Sequence, residues 1–400
     1  MAAFRQRVRT LLDRQVAPLL PASESNRRFP RPAITSLGSE GISNERWAGG
    51  PHGDLGRSVP LSEEMGRAGL GGIGVGIGLH LEAATSLLRK HSTTAYTKNV
   101  LTQALEGTSL FCVATSEELV GSNLAAVTTE LTAEGNRWRV HGTKWIVSPG
   151  ASADYALVLC RAEQGPAIAI VPHQDLTLRT RWKTSGMRSL ETVQLTVDAL
   201  IPDEAVLVRP GHGLGAIAQG LRYERLALAA QALGTAELAI RLTLTHMKRR
   251  KQFGTSLYRH QALRLRIAEL HSQVHLTQRA LYATVSEISA GGPLSAADIA
   301  ALKATASRLA EHTTSECAHI FGGRGYTADH SPIERLWRDT KVTRLGGGSD
   351  EMMWEIVAAN LRPDHALYEH WITTDSDHNP LMLNARKNPM PPKRREKTIE

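Results

Sequence analysis

The spacing of apolar positions changes twice along the chain. From Met1 to about residue 110 apolar side chains recur at helical intervals. Phe4, Val8, Leu11, Leu12 and Val16 form one such stripe, predicting a first helix over Met1–Leu20 that Pro18 and Pro21 close. Ser62 marks another helix start, with Glu63 and Glu64 suited to its positive end. From residue 111 to about 205 the helical rhythm gives way to short β-rich runs between turn residues. WRVHGTKWIV, DYALVLC, PAIAIVP, LTLRTRW and ETVQLTVDALIP predict antiparallel strands. Long helices return from Gly211: one through LRYERLALAAQALG, one through HQALRLRIAEL and, after Pro293, one through AADIAALKATASRLAEH. The order helices, strands, helices predicts an α+β chain divided at 1–110, 111–208 and 209–368. The Pro- and charge-rich tail 369–400 reads as disordered.

Composition narrows the class. The 400 residues are 42% hydrophobic and 22% charged, which excludes a chain disordered throughout. Aromatics are only 5%, so Leu, Ala, Val and Ile must build the core. No run reaches the roughly 18 apolar residues of a membrane-spanning helix. The N-terminus is Arg-rich and amphipathic, as transit peptides are, yet it reads better as the first helix of a domain, and it lacks the apolar stretch of a secretory signal. Cys112, Cys160 and Cys317 stand far apart, so neither a disulfide framework nor a cysteine zinc site is expected, and a reducing cytoplasm suits the chain. No metal site is expected from its histidines. The net charge of +8 favours anionic partners, such as a phosphorylated cofactor or an acidic carrier protein. Lys248–Lys251 and the basic tail lack interleaved aromatics, so nucleic acid is not among them.

Gly69, Gly71 and Gly74 satisfy GxGxxG, but SEEMGRA precedes them where a dinucleotide fold needs a buried strand. Close helix packing explains them better. GxSxG and Walker A motifs are absent.

Four separated segments carry a stronger signal. CVATSEELVGSNLAAV places Ser116, Glu117, Gly121, Ser122 and Asn123 in the pattern TE-x-x-x-GSD. HGTKWIVSPGASADYALV is similar to G-x-K-x-[FW]-I-T-N-x-x-x-AD. KRRKQFGTSLYRHQALRLRIAEL matches R-x-x-FG, with Gln261 eleven residues after Arg250. HIFGGRGYTADHSPIERLWRDTKVTRLGGGSDEM follows Q-x-x-GG-x-GY, R-x-x-RD and GT-x-E nearly end to end. Together they resemble the acyl-CoA dehydrogenases over roughly residues 1–365. The resemblance implies an N-terminal helical domain, a central β domain and a C-terminal four-helix bundle, with FAD between the last two. It implies cofactor contacts from Ser116, Ser122, Ile146, Ser148, Arg250, Phe253, Gln261, His319, Gly322, Gly323, Ser349 and Glu351. Hydroxyls suit the flavin ring edge, and the fork of Arg250 suits the diphosphate of a neighbouring subunit's cofactor. A homodimer or homotetramer is therefore implied, together with an electron-transfer flavoprotein as partner.

The same resemblance raises the question of the base. The family's reaction removes the proton alpha to a thioester, on CoA or a carrier protein, and passes the beta hydrogen to the flavin. Most members carry the necessary Glu at the position of Gly347 here. In the isovaleryl and long-chain branches it sits instead in an ER dipeptide at a helix start, and LRYERLALAAQALG places Glu224 and Arg225 there. Glu224 is the expected catalytic base, in an apolar site that raises its pKa. Ser122, Arg222, Arg225, Gly347 and Gly348 are the expected substrate contacts, a backbone N–H at Gly347 or Gly348 polarising the carbonyl. Departures from the pattern are Ile146 where the family has Trp or Phe, Trp145 one position away, His319 for Gln, Asn123 for Asp, and Arg222 for an acidic residue. A flavin monooxygenase or oxidase on the same fold, and a non-catalytic binding protein, are the alternatives.

Overall fold

The computed structural model describes residues 2–372. Its first helix, Ala2–Leu11, buries Phe4, Val8 and Leu11 as their spacing requires. The prolines do not close it. The path continues through single turns at Leu12–Val16 and Ala17–Leu19 into the helix Leu20–Asn26. Pro18 and Pro21 occupy the first positions of new turns, where a missing N–H is harmless. Ser62 does not start a helix either, because Leu55–Arg67 begins behind Asp54. Glu63 and Glu64 are thus buried in mid-helix, and Arg5, Arg9 and Arg67 neutralise them in place of a helix terminus.

The glycine-dense segment forms the helix Gly72–Gly78. A Cβ on Gly74 would stand 2.8 Å from the Gln231 side chain, so this spacing serves packing. Helix Leu55–Arg67 crosses the long helix Gly213–Arg249 backbone to backbone for the same reason. A Cβ on Gly66 would meet the Gln231 carbonyl at 2.2 Å, and one on Gly234 the Glu63 carbonyl at 2.2 Å.

Eight strands follow: β1 Phe111–Ala114, β2 Glu130–Glu134, β3 Arg137–Val147, β4 Tyr155–Ala162, β5 Gly165–Pro172, β6 Leu176–Arg181, β7 Val193–Pro202 and β8 Val206–Val208. They form one sheet in the order β6-β7-β3-β2-β4-β5-β8, with β1 beside β4. The pairing is antiparallel with two exceptions. β1 lies parallel to β4, Phe111 opposite Tyr155, and β2 meets β4 in parallel at Glu130 and Arg161. The chain passes through the β2–β3 pair before β4 returns along β1, and that long crossover permits a parallel neighbour. Buried and open positions alternate along β7, as in a sheet with one face on the core. β4 and β5 are buried almost throughout.

The Gly213–Arg249 helix is 37 residues long, or about 55 Å. Every residue from Tyr223 to Ala236 is buried, which marks a helix surrounded by protein. Gln261–Ser289 and Ala296–Phe321 pack along it, and the shorter Ile333–Thr340 and Asp350–Ala358 complete the bundle. One continuous apolar core joins helical, strand and bundle segments. Residues to Val357 form one compact unit, and those from Ala358 belong to a second, which holds the helix His365–Trp371. That helix runs past residue 368, where the tail was expected to begin, and the tail from 373 lies outside the described residues. Among the described residues no helix is long and apolar enough to cross a membrane.

Candidate active site

Glu224 lies in the buried middle of the long helix, 4% exposed. Its Oε2 is buried and has no hydrogen-bond partner. Burial pushes its carboxyl above the usual range, and the charges of Lys303 and Arg225 oppose that shift. The turn Gly346–Gly348 abuts this oxygen. Gly347 adopts φ +67°, and a Cβ there would stand 2.4 Å from Glu224 Oε2. Positions 224 and 347, 123 residues apart in sequence, therefore open onto the same point in space.

Two buried cations fix that turn. Arg225 Nε donates to the Gly347 carbonyl at 2.7 Å, and Lys303 Nζ to the Gly348 carbonyl at 2.5 Å. Arg225 therefore engages the glycine turn, although substrate contact was its expected task. Lys303 is fully buried, and burial lowers its pKa. Sequence reasoning passed over Lys303. Its signal is periodicity: Ile299, Ala300, Lys303, Ala304 and Ser307 share the buried stripe of Ala296–Phe321, and a lone cation on such a stripe needs a partner. Arg222 is half-buried and donates to the Leu294 carbonyl at 3.1 Å.

The β domain positions a second group. Glu117 accepts from the N–H groups of Thr128 and Thr129 and from Lys144 Nζ, each at 2.8 Å. Burial alone would raise its pKa, but these bonds hold it at about 2. Lys144 also donates to the Thr115 carbonyl, and Trp145 N–H to the Ser116 carbonyl at 2.8 Å. The loop bearing Ser116 and Ser122 is thereby tied to β3. Ser116 is half-buried and Ser122 exposed. Ser148 Oγ lies 2.8 Å from Thr192 Oγ1. Ile146 is 46% exposed, whereas Trp145 packs against Trp182 with ring centroids 4.6 Å apart. The register of β3 against β7 shifts between Lys144 and Val147, so Trp145 and Ile146 lie in a bulge where regular alternation is interrupted.

Arg250, Phe253, Gln261, His319, Gly322 and Gly323 gather at the far end of the bundle, and all are exposed. Arg250 caps the long helix, Gln261 opens the next, and Gly322 ends the third at φ +61°. Phe253 is 96% exposed. Arg250 follows Glu224 by 26 residues, or about 39 Å along a helix. A single chain does not bring this group to Glu224. Ser349 is half-buried and Glu351 exposed, both where Asp350–Ala358 begins.

The donor set suits a flavin dinucleotide. Ser116 and Ser148 offer hydroxyls, Arg250 and Gln261 offer N–H donors for phosphate, and a Cβ at Gly322 or Gly323 would meet nothing within 4 Å, so a ligand has room beside that backbone. Among the described residues no group of three or more His, Cys, Asp or Glu side chains is placed to hold a metal ion.

A helical, sheet and bundle chain with a desolvated carboxylate at the bundle centre defines a class of flavin-dependent acyl-thioester enzymes. Profiles of the acyl-CoA dehydrogenase N-terminal, middle and C-terminal domains match residues 1–108, 112–200 and 211–362, and the chain belongs to the acyl-CoA dehydrogenase family. It is 39% identical over 370 residues to an acyl-[acyl-carrier-protein] dehydrogenase, MbtN, of Mycobacterium sp. (strain MCS), covering 90% of this chain and 94% of that one. It is 27% identical to a short-chain specific acyl-CoA dehydrogenase of Clostridium acetobutylicum, over 89% of this chain and 96% of that one. Among solved structures, an acyl-CoA dehydrogenase from Geobacillus kaustophilus superposes with TM-score 0.84 at 26% identity, covering 90% of this chain and 98% of that one.

Proposed function

We propose that this protein dehydrogenates an acyl thioester between its α and β carbons, with FAD as cofactor and Glu224 as base. The observation that carries the assignment is the contact between Glu224 Oε2 and the Gly347 turn, because the position usual for the base is filled from the helix side. Glu224 Oε2 takes the α proton. Arg225 and Lys303 hold the turn against the carboxylate, and their charges oppose the upward shift that burial imposes on its pKa. The N–H groups of Gly347 and Gly348 face the thioester carbonyl and stabilise the negative charge that develops there. When bound, the flavin supplies the acceptor for the β hydride.

In this reading Ser116, Ile146 and Ser148 hold the flavin within one chain, with Ser349 and Glu351 at its other side. Arg250, Phe253, Gln261, His319, Gly322 and Gly323 reach the cofactor of a neighbouring copy, which accounts for their exposure far from Glu224. Ser122 and Arg222 face the thioester's carrier arm, and an electron-transfer flavoprotein takes up the electrons.

The carrier-bound thioester is favoured over free acyl-CoA. The relative at 39% identity is named for carrier-protein substrates, the one at 27% for acyl-CoA. The net charge of +8 and Arg222, in place of an acidic residue, suit an acidic carrier. No observation favours the oxygenase alternative. The test compares kcat/KM for one acyl group on an acyl-carrier protein and on CoA. A higher value for the carrier form, falling with salt and with Arg222→Glu, is expected; equal or better turnover of the CoA form contradicts the assignment.

A further inference from the structure

We propose a second ligand site, outside the reaction centre, that takes a small amphipathic anion: a carboxylate or phosphate monoester on a short apolar chain. It is the cavity of about 360 Å³ walled by the helix Thr85–His91, the start of the long helix and residues 47–51. That volume falls within the roughly 300–1,000 Å³ of small-molecule sites. Tyr223 forms part of the wall, but Arg225, Lys303 and Gly347, which surround the Glu224 carboxylate, do not line it.

The cavity is built in advance. Trp47 and Tyr223 stand edge to face at 5.5 Å, and each ring is tied at its polar tip. Trp47 Nε1 donates to the Leu81 carbonyl at 2.9 Å, and Tyr223 Oη lies 2.8 Å from His52 Nδ1. Arg89 donates to the carbonyls of Trp47 and Gly49 at 3.0 and 2.8 Å, which fixes the segment carrying the indole. Leu87, Pro51 and Ala216 extend the apolar surface. An aromatic and aliphatic lining with few polar groups is what a short acyl or alkyl chain needs.

The charge is one-sided. Arg89, Lys90 and His91 line the cavity, and no acidic side chain does. The nearby acid, Glu82, is already engaged by Arg46 at 2.7 Å and Ser58 at 2.7 Å. Lys90 meets only the neutral Gln219 side chain. His91 Nε2 is buried with no hydrogen-bond partner, and burial, Lys90 and His212 depress the ring's protonation. With its proton on Nε2, the His91 ring gains a partner in an anionic head group, as does the unneutralised ammonium of Lys90. A cation has no counter-charge here, and a neutral chain leaves His91 unpaired.

Calorimetric titration of the FAD-loaded full chain with hexanoate and with hexyl phosphate tests the proposal, with hexylammonium as the control. At least one of the two anions is expected to bind with one equivalent per chain, the tighter naming the head group, and with equal affinity when an acyl thioester is also present. Lys90→Gln with His91→Gln should weaken binding by about tenfold or more, and Ala216→Phe should abolish it by filling the space. The proposal is overturned if neither anion saturates, if hexylammonium binds as well, if both sets of variants bind as the wild type does, or if the thioester displaces the anion. Anaerobic flavin reduction by thioester, measured on the same variants, reports the reaction centre separately and should be unchanged.

Discussion

In the proposed reaction Glu224 takes the α proton, and Lys303 opposes the pKa rise that burial imposes on it. A carboxylate so deeply buried favours its neutral form, and a neutral acid is no base. Lys303 and Arg225 counter that tendency. Lys303→Met removes one opposing charge, so the Glu224 pKa should rise further. The acid limb of flavin reduction against pH should move to higher pH while the rate at the alkaline plateau changes less. An unshifted limb would show that Lys303 only supports the turn. Gly347→Ala probes the other side of the contact. Its Cβ would sit 2.4 Å from Glu224 Oε2 in a left-handed backbone, and misplacing a reacting group by about 1 Å costs on the order of 10²-fold in rate. Stopped-flow flavin bleaching should show that loss while the affinity for flavin is kept.

At the level of elements, the Glu117–Lys144 pair connects the loop carrying Ser116 and Ser122 to β3. Both side chains are buried, so removing one strands the other's charge, at about 3–5 kcal/mol. Lys144→Met should lower the denaturation midpoint accordingly and reduce flavin retention. Glu117 has a folded pKa of about 2, below the roughly 4.3 of an unfolded glutamate. Its stabilisation is therefore complete above the unfolded value and is lost as the pH falls toward 2. The difference in stability between wild type and Lys144→Met should shrink over that window. Elements with a strong rhythm were legible in the chain: the Phe4 to Val16 stripe, the β7 alternation and the long helices. What escaped was non-local. Pro18 and Pro21 read as stops because the turns they begin are held by tertiary packing. Ser62 read as a cap because nothing in the sequence shows Arg5 and Arg9 folding back onto Glu63 and Glu64. The parallel pairing of β1 and β4 depends on a crossover rather than on local spacing. Lys303 belongs to the site only because its helix passes beneath the Gly346–Gly348 turn.

At the scale of the whole molecule, the Arg250 group of candidate cofactor contacts lies at the C-terminal end of the long helix, about 39 Å along it from Glu224 in its middle. If neighbouring copies exchange them, hybrids of two inactive chains regain a site. Glu224→Gln chains keep Arg250, and Arg250→Glu chains keep Glu224. Mixed and reassembled, they should recover turnover from one intact site in each hybrid pair, read as steady-state activity against either variant alone. Persistent inactivity of hybrids shown by mass spectrometry to have formed would place Arg250 and Glu224 in the service of the same chain's site, or of none. The central claim concerns Glu224 itself, and its most direct measurement is the anaerobic rate at which an acyl-carrier thioester bleaches the oxidised flavin band in wild type and in Glu224→Gln. The account predicts rapid bleaching in the wild type and a variant slower by at least about 10²-fold that still binds flavin; bleaching at the same rate in both would show that another group removes the α proton.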